Sequence, residues 1–187
     1  PTYPLYQSNR ANLISRMGDT KGAEMQLRSL IELLEAKLAK TEGRNDQAEI
    51  KRGMGQALWQ LSLVYERTGE KTLAIEALTQ AMPLDKALYL RERAAAYGRF
   101  AMYKEAIADL DQAIADKEEM EARFKDRPPD MPHDMSLQSA RADIYYNAGE
   151  YQKALAEFRE CLRLDPRNKT YYEKQIERVS QKIEKPN

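Results

Sequence analysis

An alanine recurs four times along the chain in the same local pattern, and this repetition constrains the fold more than any other feature of the sequence. The four repeat alanines are Ala23, Ala74, Ala106 and Ala154. Positions are counted from the repeat alanine, so that position +4 lies four residues after it. Position +4 holds Leu27, Leu78, Leu110 and Phe158, and position +7 holds Leu30, Ala81, Ala113 and Cys161. This spacing predicts one face of an α-helix.

A second helix is predicted before each repeat alanine. Position −9 holds Ile14, Tyr65, Tyr97 and Tyr145, and position −12 holds the small residues Ala11, Ser62, Ala94 and Ala142. A turn signal separates the two halves of each copy: Gly18-Asp19, Gly69-Glu70 and Gly149-Glu150, with Ala101-Met102 as the copy that lacks glycine. Each copy therefore predicts a helix, a tight turn and a second helix.

The composition supports an all-helical chain. The sequence has 24 Ala and 20 Leu but only two Val, and strands favour β-branched residues whereas helices favour Ala and Leu. With 42% hydrophobic residues the chain has enough apolar material for a globular, soluble fold. A sheet protein is excluded.

The repeat pattern resembles the tetratricopeptide repeat, most closely in the last copy. There Ala142, Tyr145, Gly149, Ala154 and Phe158 stand where that family has them, as do Tyr151 and Pro166. The resemblance implies an all-α, right-handed superhelical solenoid of antiparallel helix pairs, in a single domain over residues 1–187. The expected repeats 1 to 4 cover about 4–37, 55–86, 87–118 and 135–168, with a capping helix at about 169–185 and loops at 41–46 and 126–134.

One departure from the family pattern is an arginine at position −13, where the family has leucine. It is found in three copies, as Arg10, Arg93 and Arg141. A long aliphatic stem can cover core surface while its guanidinium reaches water, and we expect these arginines to do so.

Residues for catalysis are scarce. His133 is the single histidine, it stands in a proline-rich loop, and we expect it to be solvated there rather than catalytic. Asp130, His133 and Asp134 could form a weak metal site, but three clustered ligands without a fixed scaffold are common. Cys161 occupies a small-residue position, which favours a buried, inert thiol over a reactive one. We expect no enzyme, no catalytic residue, no metal and no cofactor.

Charge and hydropathy exclude two further classes. Thirty basic residues balance 30 acidic ones, and no basic stripe with alternating aromatic residues occurs, so we expect no nucleic-acid partner. The longest apolar runs have four residues, far below the roughly 20 of a membrane span. The compartment stays open, with the cytoplasm favoured over the periplasm, and the start at Pro1 without Met suggests a processed or excised region.

A partner is expected in the concave groove that the first helices of stacked hairpins line. The candidate groove residues are Asn12, Arg16, Trp59, Leu63, Arg67, Arg91, Ala95, Arg99, Asp143, Tyr146 and Asn147. Trp59 is either an anchor for a ligand or packs against residues 41–46 or a neighbouring helix. Because guanidinium groups bind carboxylates well, the arginines favour an extended peptide with acidic residues or a free C-terminus.

Two other functions are compatible with the same sequence. The chain could self-assemble into a homo-oligomer through the final helix, with Tyr171 and Tyr172, or through the long second helix after Glu24. It could also be a regulatory arm of a larger protein.

Overall fold

The structure is a computed structural model that describes residues 4–123 and 134–185. Within these ranges the chain forms nine α-helices and one short 3-10 helix, so the all-α fold class is confirmed. The helices are α1 (Pro4–Arg16), α2 (Thr20–Leu38), α3 (Arg44–Thr68), α4 (Lys71–Ala81), α5 (Lys86–Arg99), α6 (Tyr103–Arg123), α7 (Ser136–Asn147), α8 (Tyr151–Leu164) and α9 (Lys169–Glu184), with the 3-10 helix at Pro166–Asn168. Repeats 1 to 4 correspond to α1/α2, α3/α4, α5/α6 and α7/α8.

One expected loop is shorter than the sequence suggested. Residues 41–46 were expected to be a loop, but α3 begins at Arg44. The Gln47 amide donates to the Gly43 carbonyl at 2.9 Å, and Asp46 lies in the first turn, where a carboxylate interacts favourably with the free amides of a helix N-terminus. Most of the other expected loop, 126–134, lies outside the described residues.

The chain divides into two compact units, Pro1–Ala96 and Tyr97–Asn187. In unit 1, α2 packs on α1 and α3, and α3 packs on α4. In unit 2, α7 packs on α6 and α8, and α8 packs on α9. Consecutive helices are therefore the main packing partners in each unit.

The turn inside each helix pair has the same hydrogen bond in all four repeats. The amide at position −4 donates to the carbonyl at position −9 over 2.8 to 3.2 Å, which is the closing bond of a Schellman motif. This motif requires a left-handed residue at position −5. Gly18, Gly69 and Gly149 have φ of +105°, +78° and +79°, and Ala101 is held at +58°.

The repeated apolar positions form the core. All four repeat alanines are fully buried, and so are the residues at positions +4 and −12. Small side chains at the repeat alanine and at position −12 let two helices approach closely, while the large residue at +4 fills the space between them. In unit 2 the last helix adds Tyr172 and Val179 to the cluster around Phe158 and Cys161.

Candidate functional site

Eight of the eleven candidate groove residues occupy positions that stay accessible in every repeat. Trp59 and Arg91 stand at position −15, which is buried in repeats 1 and 4, and Tyr146 stands at position −8, which is buried in repeat 1. Position −7 is exposed throughout, and position −11 is half-buried throughout. The residues at −7 are Arg16, Arg67, Arg99 and Asn147, and those at −11 are Asn12, Leu63, Ala95 and Asp143. This exposure follows from helix periodicity, because neither position shares a stripe with the buried residues at −12.

In unit 1 the accessible stripe of α3 carries the chain's single tryptophan. Between Gly53 and Tyr65 most residues of α3 are buried, whereas Gln56, Trp59 and Leu63 are half-buried. Spacings of three and four place these three side chains in one line on the helix. Trp59 thus lies on a different stripe from Leu58 and the other core residues of α3.

Asn12 and Arg67, two candidates far apart in sequence, meet between α1 and α3. The Arg67 guanidinium donates to Ser15 Oγ at 2.9 Å and to Asn12 Oδ1 at 3.4 Å. The Asn12 amide nitrogen in turn donates to the buried Gln60 Oε1. Because these partners are neutral, they orient the Arg67 guanidinium without cancelling its charge.

The remaining arginine candidates differ in their surroundings. Arg91 lies 3.1 Å from the carboxylate of Glu92, which lowers the positive potential there. Arg16 and Arg99 are exposed at the last turns of α1 and α5.

In unit 2 an arginine that was not among the candidates contacts two of them. Arg178 on α9 is 2.6 Å from the Asp143 carboxylate, and its guanidinium lies 4.1 Å from the centre of the Tyr146 ring. Tyr146 also meets Tyr151 edge-on at 5.4 Å. The charge of Asp143 is therefore compensated within the unit. No local pattern indicates Arg178, since it lies 35 residues from Asp143 in the sequence.

The Arg141 guanidinium, which was expected to reach water, is held by two carboxylates and keeps 20% of its side chain exposed. Its Nε donates to Glu157 Oε2 at 2.8 Å, and the two terminal nitrogens bind Glu157 Oε1 and Asp111 Oδ1. These hydrogen bonds, led by that of Glu157, raise the pKa of Arg141 above its ordinary value. Arg93 likewise donates to Thr79 Oγ1 at 2.9 Å. Bidentate carboxylate contacts such as that of Glu157 are among the strongest hydrogen bonds that a guanidinium makes.

The remaining residues considered for chemistry are Cys161 and the expected metal-site residues Asp130, His133 and Asp134. Cys161 is buried, as predicted, and burial raises the pKa of its thiol to about 12, reinforced by Glu157 and Glu160. Asp130 and His133 lie outside the described residues. Asp134 accepts a hydrogen bond from the Ser136 amide at 3.0 Å and lies 3.4 Å from Lys117 Nζ. Among the described residues no group of three His, Cys, Asp or Glu side chains is placed to hold a metal ion.

The predicted self-assembly surface on α9 is smaller than expected. Tyr172 is buried and donates a hydrogen bond to Asp165 Oδ2 at 3.3 Å, so it cannot contact another copy. Tyr171 remains partly exposed and packs edge-on against Tyr172.

These observations define an all-α helical-repeat protein. Residues 55–88 and 136–168 each match a sequence profile described as the tetratricopeptide repeat. The chain therefore contains tetratricopeptide repeats in these two segments, as the alanine pattern indicated. No helix within residues 4–123 and 134–185 combines the length and apolarity that crossing a membrane requires.

Solved structures share this fold at low sequence identity. A putative kinesin light chain from Podosopora anserina with nearly identical TPR-like repeats has a TM-score of 0.63 at 18% identity, covering 97% of this chain and 88% of that chain. MamA from Desulfovibrio magneticus RS-1, residues 41 to the end, has a TM-score of 0.51 at 12% identity, covering 100% and 99%. No curated protein sequence matches significantly.

Proposed function

We propose that the first helices of this chain bind an extended segment of a partner protein, with Trp59 as the central contact in unit 1. Tetratricopeptide repeat domains generally mediate protein–protein interactions and are typically non-catalytic. The finer assignment rests on the accessible stripe of α3, which presents Trp59 and Leu63 within a stretch, Gly53 to Tyr65, that is otherwise mostly buried. The proposal assigns no cofactor and no catalytic residue.

Trp59 carries the proposal because of its chemistry and its partial exposure. Leu58, which belongs to the core, is buried. Trp59 instead leaves part of its surface accessible beside Leu63. Tryptophan is enriched among the residues that dominate binding energy, because its large rigid surface loses little conformational entropy when covered. A partner side chain that covers Trp59 and Leu63 would bury apolar surface on both molecules.

Arg67 and Arg16 favour a ligand with negative charge. Arg67 is already oriented by Ser15 and Asn12, so less side-chain entropy is lost when it binds a carboxylate. Arg16 lies at the exposed end of α1. Acidic residues or a free C-terminal carboxylate in the partner segment would satisfy both guanidinium groups. In unit 2 Asp143 is already paired with Arg178, which makes unit 1 the better carboxylate site.

Peptide display on the purified chain tests this proposal. Random peptides with free C-termini are selected for binding, and the enriched sequences are then measured with variants. We expect enrichment of acidic or C-terminal carboxylate motifs, and a loss of at least tenfold in affinity for Trp59→Ala and for Arg67→Glu, since a hot-spot residue contributes on the order of 2 kcal/mol.

Lys51→Glu is the matched control for Arg67→Glu. Lys51 is an exposed cation on the same helix but lies outside the candidate stripe, so binding should persist. Circular dichroism of each variant checks that the helices remain folded. Selected peptides that bind Trp59→Ala and Arg67→Glu as tightly as the wild type would refute the proposal.

A further inference from the structure

One face of repeat 1, formed by residues of α1 and α2, is exposed, whereas the same face is covered in every later repeat. Positions −17, −13, −10 and +3 are buried or half-buried in repeats 2 to 4, but all four are exposed in repeat 1. The exposed residues are Tyr6, Arg10, Leu13 and Gln26. Leu13 at position −10 is 58% exposed, whereas Val64, Ala96 and Ile144 at the same position are 1%, 0% and 8% exposed.

The later repeats show what covers these positions. At position −17, the Tyr89 hydroxyl lies so close to Gly55 of α3 that a Cβ there would stand 2.2 Å away. At position −10, Ile144 Cδ1 approaches Gly98 of α5 in the same way, at 2.5 Å. Both contacts are made to the first helix of the preceding repeat, at a glycine.

Position −13 contacts the second helix of the preceding repeat instead. Arg93 donates to Thr79, and Arg141 binds Asp111. Thr79 and Asp111 both stand at position +5 of their repeats. The arginine at −13 thus pairs with a hydroxyl or carboxylate at +5 wherever it is covered.

Arg10 has the same position −13 but lines an open groove. The groove has a volume of about 630 Å³ and lies between α1 and α2. It is lined by Gln7, Arg10, Met25, Gln26 and Leu33, among others. Tyr6 and Leu13 add large apolar side chains that are 70% and 58% exposed. Contiguous apolar surface beside a charged group is typical of a protein interaction site.

We propose that this face binds a helical hairpin of a partner protein. The hairpin has a glycine or another small residue on its first helix, where Tyr6 and Leu13 pack, and an Asp, Glu or Thr on its second helix, where Arg10 binds. Charge complementarity selects this occupant over head-to-tail stacking of a second copy. In a second copy the last repeat already packs on α9, and Arg159 at position +5 of that repeat would repel Arg10.

A peptide of residues 86–123 of this chain is the probe. It contains Gly98 and the acidic Asp111 that binds Arg141. Titrated against the full chain, it should bind and protect the amides of α1 and α2 from hydrogen exchange. Arg10→Glu in the chain, or Asp111→Arg in the peptide, should weaken binding about tenfold, as expected for one charge-assisted pair. Combining the two substitutions should restore most of the affinity.

Arg16→Glu is the matched control, because Arg16 is a cation on the same helix at a position that is exposed in all four repeats. This substitution should leave hairpin binding unchanged but weaken the binding of the peptides selected for the first-helix surface. The two results together separate this proposal from the proposed function. Failure of the wild-type chain to bind the peptide, or equal binding by Arg10→Glu, overturns the proposal. Concentration-dependent self-association that Arg10→Glu abolishes would assign the face to a second copy and also overturn it.

Discussion

At the scale of single residues, Ala101 stands out because it adopts a conformation that its side chain disfavours. The other three turns place glycine at the same position, and Ala101 follows them into the left-handed region with φ of +58°. The hydrogen bond from the Met102 amide to the Tyr97 carbonyl is nevertheless formed at 2.9 Å. The turn therefore keeps its closing hydrogen bond although the alanine stores strain of about 1 kcal/mol.

Ala101→Gly should stabilise the protein. Relief of the strained φ outweighs the extra chain entropy of glycine, so we expect the free energy of unfolding to rise by about 0.5–1 kcal/mol. Gly149→Ala introduces the same strain in the equivalent turn and should lower it by about 1 kcal/mol. Urea denaturation followed by circular dichroism measures both. A destabilised Ala101→Gly variant would contradict this account of the turn.

At the scale of secondary-structure elements, Asp165 joins α8 to the last helix. Its buried carboxylate accepts hydrogen bonds from Asn168 Nδ2 at 2.7 Å, from Tyr172 Oη at 3.3 Å and from Arg167 Nε at 3.1 Å. These contacts, led by that of Asn168, lower the pKa of Asp165 below 3.8. The carboxylate thus fixes the 3-10 turn before α9 and the first turn of α9 itself.

The contribution of Asp165 should depend on pH in a defined direction. Because the pKa is lower in the folded state, the stabilisation is fully present above the unfolded value of 3.8 and is lost as the pH falls through the folded value. Asp165→Asn should cost about 1–3 kcal/mol at pH 7, and its difference from the wild type should shrink as the pH falls below 3.8.

Thermal unfolding between pH 2 and pH 7 measures this difference. Glu42→Gln, at an exposed residue between α2 and α3, is the control and should follow the wild type at all pH values. A pH-independent difference for Asp165→Asn would mean that the carboxylate's charge does not contribute to stability.

At the scale of the whole molecule, each of the two compact units contains one residue whose signal can report the unfolding of that unit. The single tryptophan, Trp59, belongs to unit 1, and the single cysteine, Cys161, belongs to unit 2. The Cys161 thiol is buried and its pKa is raised to about 12, so thiol reagents should reach it only after unit 2 opens. In repeat proteins, stability is approximately a sum over repeats and their nearest neighbours.

Core substitutions should therefore act locally. Leu27→Ala removes a fully buried side chain from unit 1 and should cost about 2–5 kcal/mol. We expect it to lower the urea midpoint of Trp59 fluorescence more than the midpoint of Cys161 labelling. Val179→Ala, at a fully buried residue of unit 2, should do the reverse. Equal shifts of both probes in both variants would instead show that the chain unfolds as one cooperative unit.

The sequence by itself determined the helices, their turns and the core. The alanine, the large apolar residue at +4 and the turn signal recur at fixed spacing, and helix periodicity converts that spacing into buried faces without reference to the rest of the chain. The same periodicity predicted that positions −7 and −11 stay accessible, because the buried positions are already assigned. It could not predict which charges meet across those surfaces.

Only the tertiary structure decided the polar partners. Arg67 meets Asn12, Arg178 contacts Asp143 and Tyr146, and Arg141 binds both Glu157 and Asp111. Each pair joins different helices, so its formation depends on how neighbouring helices are placed and not on a local pattern. The exposure of Arg10, at a position where Arg141 is paired, has the same origin: a side chain's partner is set by the element beside it, which its own sequence neighbours do not specify.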